Sequence, residues 1–153
     1  MDITLQTLEA NDAIMIIDID FFKKINDRFG HDVGDACLRE TSAFLSQCFS
    51  PTHPVARIGG EEFAVFLAKP AVSELKEIAS NISQGFRFKV DASTSCHISA
   101  SVGIAQWQVP MERANVLRLA DQAVYRAKAA GRAGYVLLRG DDASEPTGDY
   151  VIS

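Results

Sequence analysis

The sequence predicts an α/β (α+β) fold in which helices pack on a mixed sheet. The first observation is Ala13-Ile14-Met15-Ile16-Ile17, a continuous apolar run of the kind a central strand shows when both its faces are buried. The second is a pair of hairpin patterns, one around Gly59-Gly60 and one around the polar turn 91–95. The third is helical periodicity between them, and this alternation of helices with strands implies a mixed sheet with helices packed on it. With 153 residues, 47% of them hydrophobic, the chain suffices for one globular domain with a sizeable core.

The apolar strand leads to a short helix over about 21–29, stopped by Gly30. A turn, Gly30-His31-Asp32-Val33-Gly34-Asp35, enters a second helix whose buried stripe is Ala36, Leu38, Phe44, Leu45 and Cys48. The apolar runs 54–58 and 63–67 flank the Gly59-Gly60 turn. A third helix spans 72–83, with Val72, Leu75, Ile78, Ala79 and Ile82 at helical spacing. Strands 86–90 and 98–106 are joined by the polar turn, and a last helix over 113–130 is ended by Gly131. Residues 135–138 close the sheet. The segment 140–153 is acidic, carries Pro146 and Gly148, and is expected to be a solvated, flexible tail.

A net charge of −5 argues against DNA or RNA as a partner. Cys37, Cys48 and Cys96 are odd in number and lack metal-ligand spacing, so they are expected to be reduced thiols in or near the core. No signal peptide and no membrane-spanning run is present, so a cytoplasmic location without membrane contact is expected.

Chemistry concentrates at two places. The central strand ends in Asp18-Ile19-Asp20, two carboxylates on one face of an extended chain, where a helix with free N–H groups begins. Asp20 suits an N-cap. Asp18 does not, and an ionised carboxylate at the end of a buried strand is costly unless paired or bound to metal. In Arg57-Ile58-Gly59-Gly60-Glu61-Glu62-Phe63, two glutamates follow a glycine turn at which backbone can approach a ligand closely, Gly60 included. A solvated acidic turn accounts for this stretch equally well in isolation. Together with Asp18 it points to a hard cation, or to a phosphate ligand held by one. Neither Gly-x-x-x-x-Gly-Lys-Ser/Thr nor Gly-x-Gly-x-x-Gly occurs, so a nucleotide would be held by other means.

Asp18-Ile19-Asp20-Phe21-Phe22-Lys23, Asn26, Gly30-His31-Asp32, Gly34-Asp35 and Gly59-Gly60-Glu61-Glu62-Phe63 together resemble the GGDEF family, the diguanylate cyclases, in its GGEEF variant. Ser101-Val102-Gly103-Ile104, Ala120-Asp121 and the stretch from Tyr125 to Arg132 extend the resemblance, which covers about residues 13–138. It implies a five-stranded sheet similar to that of nucleotidyl cyclases and the polymerase palm, and a GGDEF domain over 1–139. It also implies Mg²⁺ (or Mn²⁺) on Asp18, Glu61 and the Ile19 carbonyl, with Glu62 beside them assisting proton removal. Backbone N–H groups of Phe21 and Phe22, with Lys23, would hold the β- and γ-phosphates of GTP. Lys128 and Arg132, four apart on the last helix, match the family's triphosphate clamp, although a solvated basic helix end has the same appearance. Asn26 and Asp35 match the positions that read guanine, and Asp35 also suits a helix cap. The two phenylalanine side chains are read as core. His31 and Asp32 are read as shaping the turn.

The reaction so implied condenses two GTP into cyclic di-GMP and two pyrophosphates across a homodimer, usually under an upstream sensor domain. Two departures bear on it. The family's opening Asp-x-Leu-Thr-Gly-Leu-x-Asn-Arg has no counterpart in Met1 to Leu8, so a domain lacking its usual N-terminal segment is expected. The inhibitory Arg-x-x-Asp motif is replaced by Ser50-Pro51-Thr52-His53. The competing reading is a weak or inactive module that binds GTP or cyclic di-GMP as a regulatory domain. A polymerase-palm-like nucleotidyltransferase is disfavoured by the acidic charge.

Overall fold

Strand β1 (Ala13–Ile19) is buried along its whole length, the fate its unbroken apolar run requires. The computed structural model describes residues 8–107, 115–140 and 150–152. After β1 come α1 (Phe22–Phe29), α2 (His31–Cys48), β2 (Val55–Arg57), β3 (Glu62–Leu67), α3 (Val72–Gln84), β4 (Phe86–Lys89) and β5 (Ser95–Ile98). They are followed by β6 (Ala100–Trp107), α4 (Asn115–Ala129), β7 (Tyr135–Gly140) and β8 (Tyr150–Ile152).

The main sheet runs β2-β3-β1-β6-β7-β8. β1 lies antiparallel to both β3 and β6, while β6 and β7 are parallel and joined through α4. Strands β2 to β7 of this order are the expected five-stranded mixed sheet. β8 adds a sixth, pairing antiparallel with β7 from within the segment read as a solvated tail. Alternation along β1 divides the core. Met15 and Ile17 face a cluster with α1, α2 and α3, whereas Ile14 and Ile16 face Leu119, Ala120 and Ala123 of α4. Gly103 of β6 lets α4 settle closely, since a Cβ there would collide with the Val124 backbone nitrogen and the Ala120 carbonyl.

Three local expectations are corrected. Residues 31–35 are the first turns of α2 rather than a turn before it, because Gly30, at φ 91°, completes the reversal alone. The second hairpin is β4–β5, a separate two-stranded sheet, and the chain crosses into the main sheet only after Ser99. α4 ends at Ala129, so Arg132 lies in the following turn rather than on the helix. The opening segment before Leu8, the proposed helix start at 113–114 and most of the tail lie outside the described residues. Cys37, Cys48 and Cys96 are free thiols, the first buried and pushed up to about 11 by that burial. Among the described residues no helix is long and apolar enough to cross a membrane.

Candidate functional site

Asp18 sits one residue from the end of β1, opposite Glu62 of β3 on one side and Ser101 of β6 on the other. Its side chain is only 7% exposed. One carboxylate oxygen, Oδ2, accepts a hydrogen bond from Lys128 Nζ at 2.8 Å, so α4 delivers an ammonium group to the strand end. The other, Oδ1, is buried without a hydrogen-bond partner. Lys128 meets the carboxylate through Oδ2 alone, so burial leaves Oδ1 with an unmet need for a hydrogen-bond donor or a cation.

Glu61 and Glu62 approach the same point from the hairpin, whose backbone is tied to β1 by a hydrogen bond from the Ile19 N–H to the Glu61 carbonyl at 3.2 Å. Burial, and then the neighbouring Asp18 charge, push the Glu61 carboxyl above the ordinary range, with Lys128 pulling it back. Glu62 is raised by burial, by Asp18 and by Asp121 of α4, again against Lys128. Carboxylates therefore outnumber cations here, and their electrostatic need is for positive charge. Asp18 Oδ1, Glu61 and the Ile19 carbonyl are oxygen donors of the class a hard divalent cation takes. They fit such an ion through the orphaned Oδ1. Among the described residues no group of three or more His, Cys, Asp and Glu side chains forms a self-sufficient metal site.

Neither Gly59 nor Gly60 adopts a left-handed φ, so the turn does not use glycine for conformation. A Cβ on Gly60 would meet nothing within 4 Å. The space beside the two glutamates is open, as close approach of a ligand would require. Arg57 braces this turn, donating from its guanidinium to the Gly59 and Gly60 carbonyls at 3.0 and 2.8 Å.

α1 starts at Phe22 with no side-chain cap, leaving its first N–H groups available to an anion. Asp20 does not cap it. Its carboxylate accepts from Ser99 Oγ at 2.7 Å, Ser101 Oγ at 2.6 Å and the Ala133 N–H at 2.9 Å, so it ties the end of β1 to β6 and to the turn after α4. Phe22 is buried in the core as expected, and Lys23 is exposed on the first turn. The Phe21 side chain is a correction: it is 51% exposed rather than core, at φ 57°. Arg132 stacks its guanidinium 4.8 Å from the centre of that ring.

Of the two residues expected to read guanine, Asn26 is half-buried and packs on Gly34, where a Cβ would collide with its Oδ1. Asp35, the next residue, is exposed and lines an open cavity of about 430 Å³ with Leu38, Arg39, Ser42, Arg57 and Phe63. It lies inside α2 and is not its cap, which is Gly30. Residues 50–53 form an exposed turn closed by Ser50 Oγ and Thr52 Oγ1. Sequence reasoning missed Asp20's anchoring role, for which the paired serines at 99 and 101 were the available signal. Asp121 enters the sequence reading only as part of the resemblance; that its charge raises Glu62 depends on how α4 packs, which no local signal shows.

The family model described as "Diguanylate cyclase, GGDEF domain" matches residues 3–134. Diguanylate cyclase A of Treponema denticola is 34% identical over 78% of this chain and 33% of its own length. The response regulator PleD of Caulobacter vibrioides is 38% identical over 78% of this chain and 28% of its own. The chain thus spans about a third of the length of these relatives. Among solved structures, the active GGEEF domain of a diguanylate cyclase from Vibrio cholerae is 35% identical with a TM-score of 0.71, covering 80% of this chain and 79% of that one. The GGDEF domain of DgcB from Caulobacter crescentus, in complex with c-di-GMP, is 29% identical with a TM-score of 0.69, covering 88% and 78%.

Proposed function

The chain belongs to the GGDEF domain family, and from that premise we propose that it is a diguanylate cyclase, condensing two GTP into cyclic di-GMP with release of two pyrophosphates. The observation that carries the proposal is the orphaned Asp18 Oδ1, buried beside Glu61 and Glu62. A regulatory domain that merely binds product has no need of this acid cluster, in which Lys128 is set against Asp18, Glu61 and Glu62 together.

Mg²⁺ held by Asp18, Glu61 and the Ile19 carbonyl would lower the pKa of the attacking 3′-hydroxyl and neutralise charge on the departing pyrophosphate. The open first turn of α1, through the Phe21 and Phe22 N–H groups with Lys23, receives the β- and γ-phosphates. Arg132 reaches them from the turn after α4. Lys128, paired with Asp18, would divide its charge between that carboxylate and a phosphate oxygen. Glu62, its proton affinity raised, is suited to assist removal of the hydroxyl proton at neutral pH. Asn26 and Asp35 take the guanine edge, the carboxylate accepting from N1–H and the 2-amino group. Each domain holds one GTP, so two must face each other across a two-fold axis. In a longer chain an upstream sensor domain would control that encounter.

Incubation with GTP and Mg²⁺, followed by chromatography, should give cyclic di-GMP and pyrophosphate. Unconsumed GTP, at protein concentrations that favour dimers, would refute the assignment.

A further inference from the structure

Non-glycine residues at positive φ occur at Asn11, Phe21, Lys69, Arg132 and Ala133. Three of these five converge at one place. Phe21 (φ 57°) opens α1, and Arg132 (φ 63°) and Ala133 (φ 46°) form the turn between α4 and β7. Each such residue is strained and persists only where its surroundings impose it. Two neighbouring contacts supply the imposition. Asp20, held by Ser99 and Ser101, accepts the Ala133 N–H at 2.9 Å. Phe21, the next residue, carries the Arg132 guanidinium 4.8 Å and Lys24 Nζ 4.6 Å from its ring centre. A phenylalanine this exposed has no core to justify its ring, yet the ring has two cations against it.

We propose that Asp20 and Phe21 form a latch that positions Arg132, holding its guanidinium over the open first turn of α1 before any nucleotide arrives. Asp20 fixes the backbone of the turn through Ala133, and the Phe21 ring fixes the side chain. Arginine suits such a seat because its planar cation stacks on an aromatic face while its edge N–H donors stay free for phosphate oxygens. The latch removes part of the rotamer entropy that a long side chain otherwise loses on gripping a ligand. It rests on the reading of Arg132 as a triphosphate group and adds positioning roles for two side chains that touch no substrate in that reading.

The test is a double-mutant cycle on affinity for a non-hydrolysable GTP analogue with Mg²⁺, repeated with inorganic tripolyphosphate. The variants are Phe21→Leu, Arg132→Ala and the pair. Phe21→Leu keeps apolar bulk but loses the π face, and should weaken binding about twofold to fivefold, the equivalent of the ~0.5–1 kcal/mol of an exposed cation–π contact. In the Arg132→Ala background it should change nothing, because the residue it positions is gone. Phe21→Trp should restore affinity. An equal loss from Phe21→Leu in both backgrounds overturns the latch while leaving the phosphate role of Arg132 standing. No loss from Arg132→Ala overturns that phosphate role, and the latch with it. Asp20→Asn serves as the second arm, read by NMR at the Arg132 Nε–Hε. Its ring-current shift should shrink in Asp20→Asn and vanish in Phe21→Leu, and a shift unchanged in both overturns the latch without reference to any ligand.

Discussion

Glu61 holds the sharpest conflict between stability and function. Its carboxyl is raised from the ordinary 4.5 by burial and by Asp18, and Glu62 is raised from the same value. A group that binds its proton more tightly folded than unfolded contributes stability that is fully present below about pH 4.5 and lost as pH rises through the raised value. Metal-free protein should therefore lose stability across that window. Glu61→Gln should flatten the loss and raise the melting temperature at pH 7, each ~1 kcal/mol of relief reading as about 2–4 °C. The same change should cut cyclic di-GMP formation by roughly a hundredfold or more, because it removes a metal-facing charge. A variant no more stable than wild type and fully active would contradict both halves. Asp35 carries a separate prediction about the base. Asp35→Ser should lower the GTP-over-ATP preference by about 1.5–3 kcal/mol, roughly tenfold to hundredfold. Because Asp35 is exposed inside α2 and does not cap it, thermal stability should barely change. Titration of both nucleotides decides the matter, since an unchanged affinity ratio removes the base-reading role.

Between elements, the site depends on how closely α4 approaches β6, for α4 brings both Lys128 and Asp121. Gly103→Ala should lever the helix away through Val124 and Ala120, costing about 1–3 kcal/mol as overpacking does. Denaturant unfolding measures it, and a loss well under 1 kcal/mol would mean that α4 shifts freely. The strands and helices that carry the site were largely legible, because continuous apolar runs and turn residues are local signals. β1 stood out by its run and the acidic hairpin by its glycines. What escaped depends on partners distant in sequence. Asp20 looked like a cap because its true partners, Ser99, Ser101 and Ala133, are 79 to 113 residues away. Phe21 looked like core because nothing local says that Arg132 will stack on it. The split between β5 and β6 falls at Ser99, without a glycine or proline to announce it. Arg132 was placed on the helix by i, i+4 counting, which cannot see that α4 stops at Ala129.

At the scale of the whole molecule, the described residues gather an acid cluster at the end of β1 from which α1 departs, and α1 starts there without a side-chain cap. On the proposed reading one domain holds one nucleotide, and closing a ring from two nucleotides takes a second domain facing it. The reaction should then depend on encounter. Cyclic di-GMP formed per chain should rise with protein concentration until dimers saturate, approaching a linear rise when they are scarce, since dimer concentration grows with the square of the total. An inactive partner should poison it. Wild type co-expressed with excess Asp18→Asn should form mixed dimers in which only one domain keeps its metal-facing carboxylate, so the ring is not closed and product per wild-type chain falls. Asp18→Asn suits this use because it removes charge from a site already crowded with acids and leaves the surface outside the cluster unchanged. Measuring product per wild-type chain at several ratios of the two, and across protein dilution, separates the possibilities. A rate per chain that is flat with dilution and untouched by the inactive partner would show that a single domain completes both bonds.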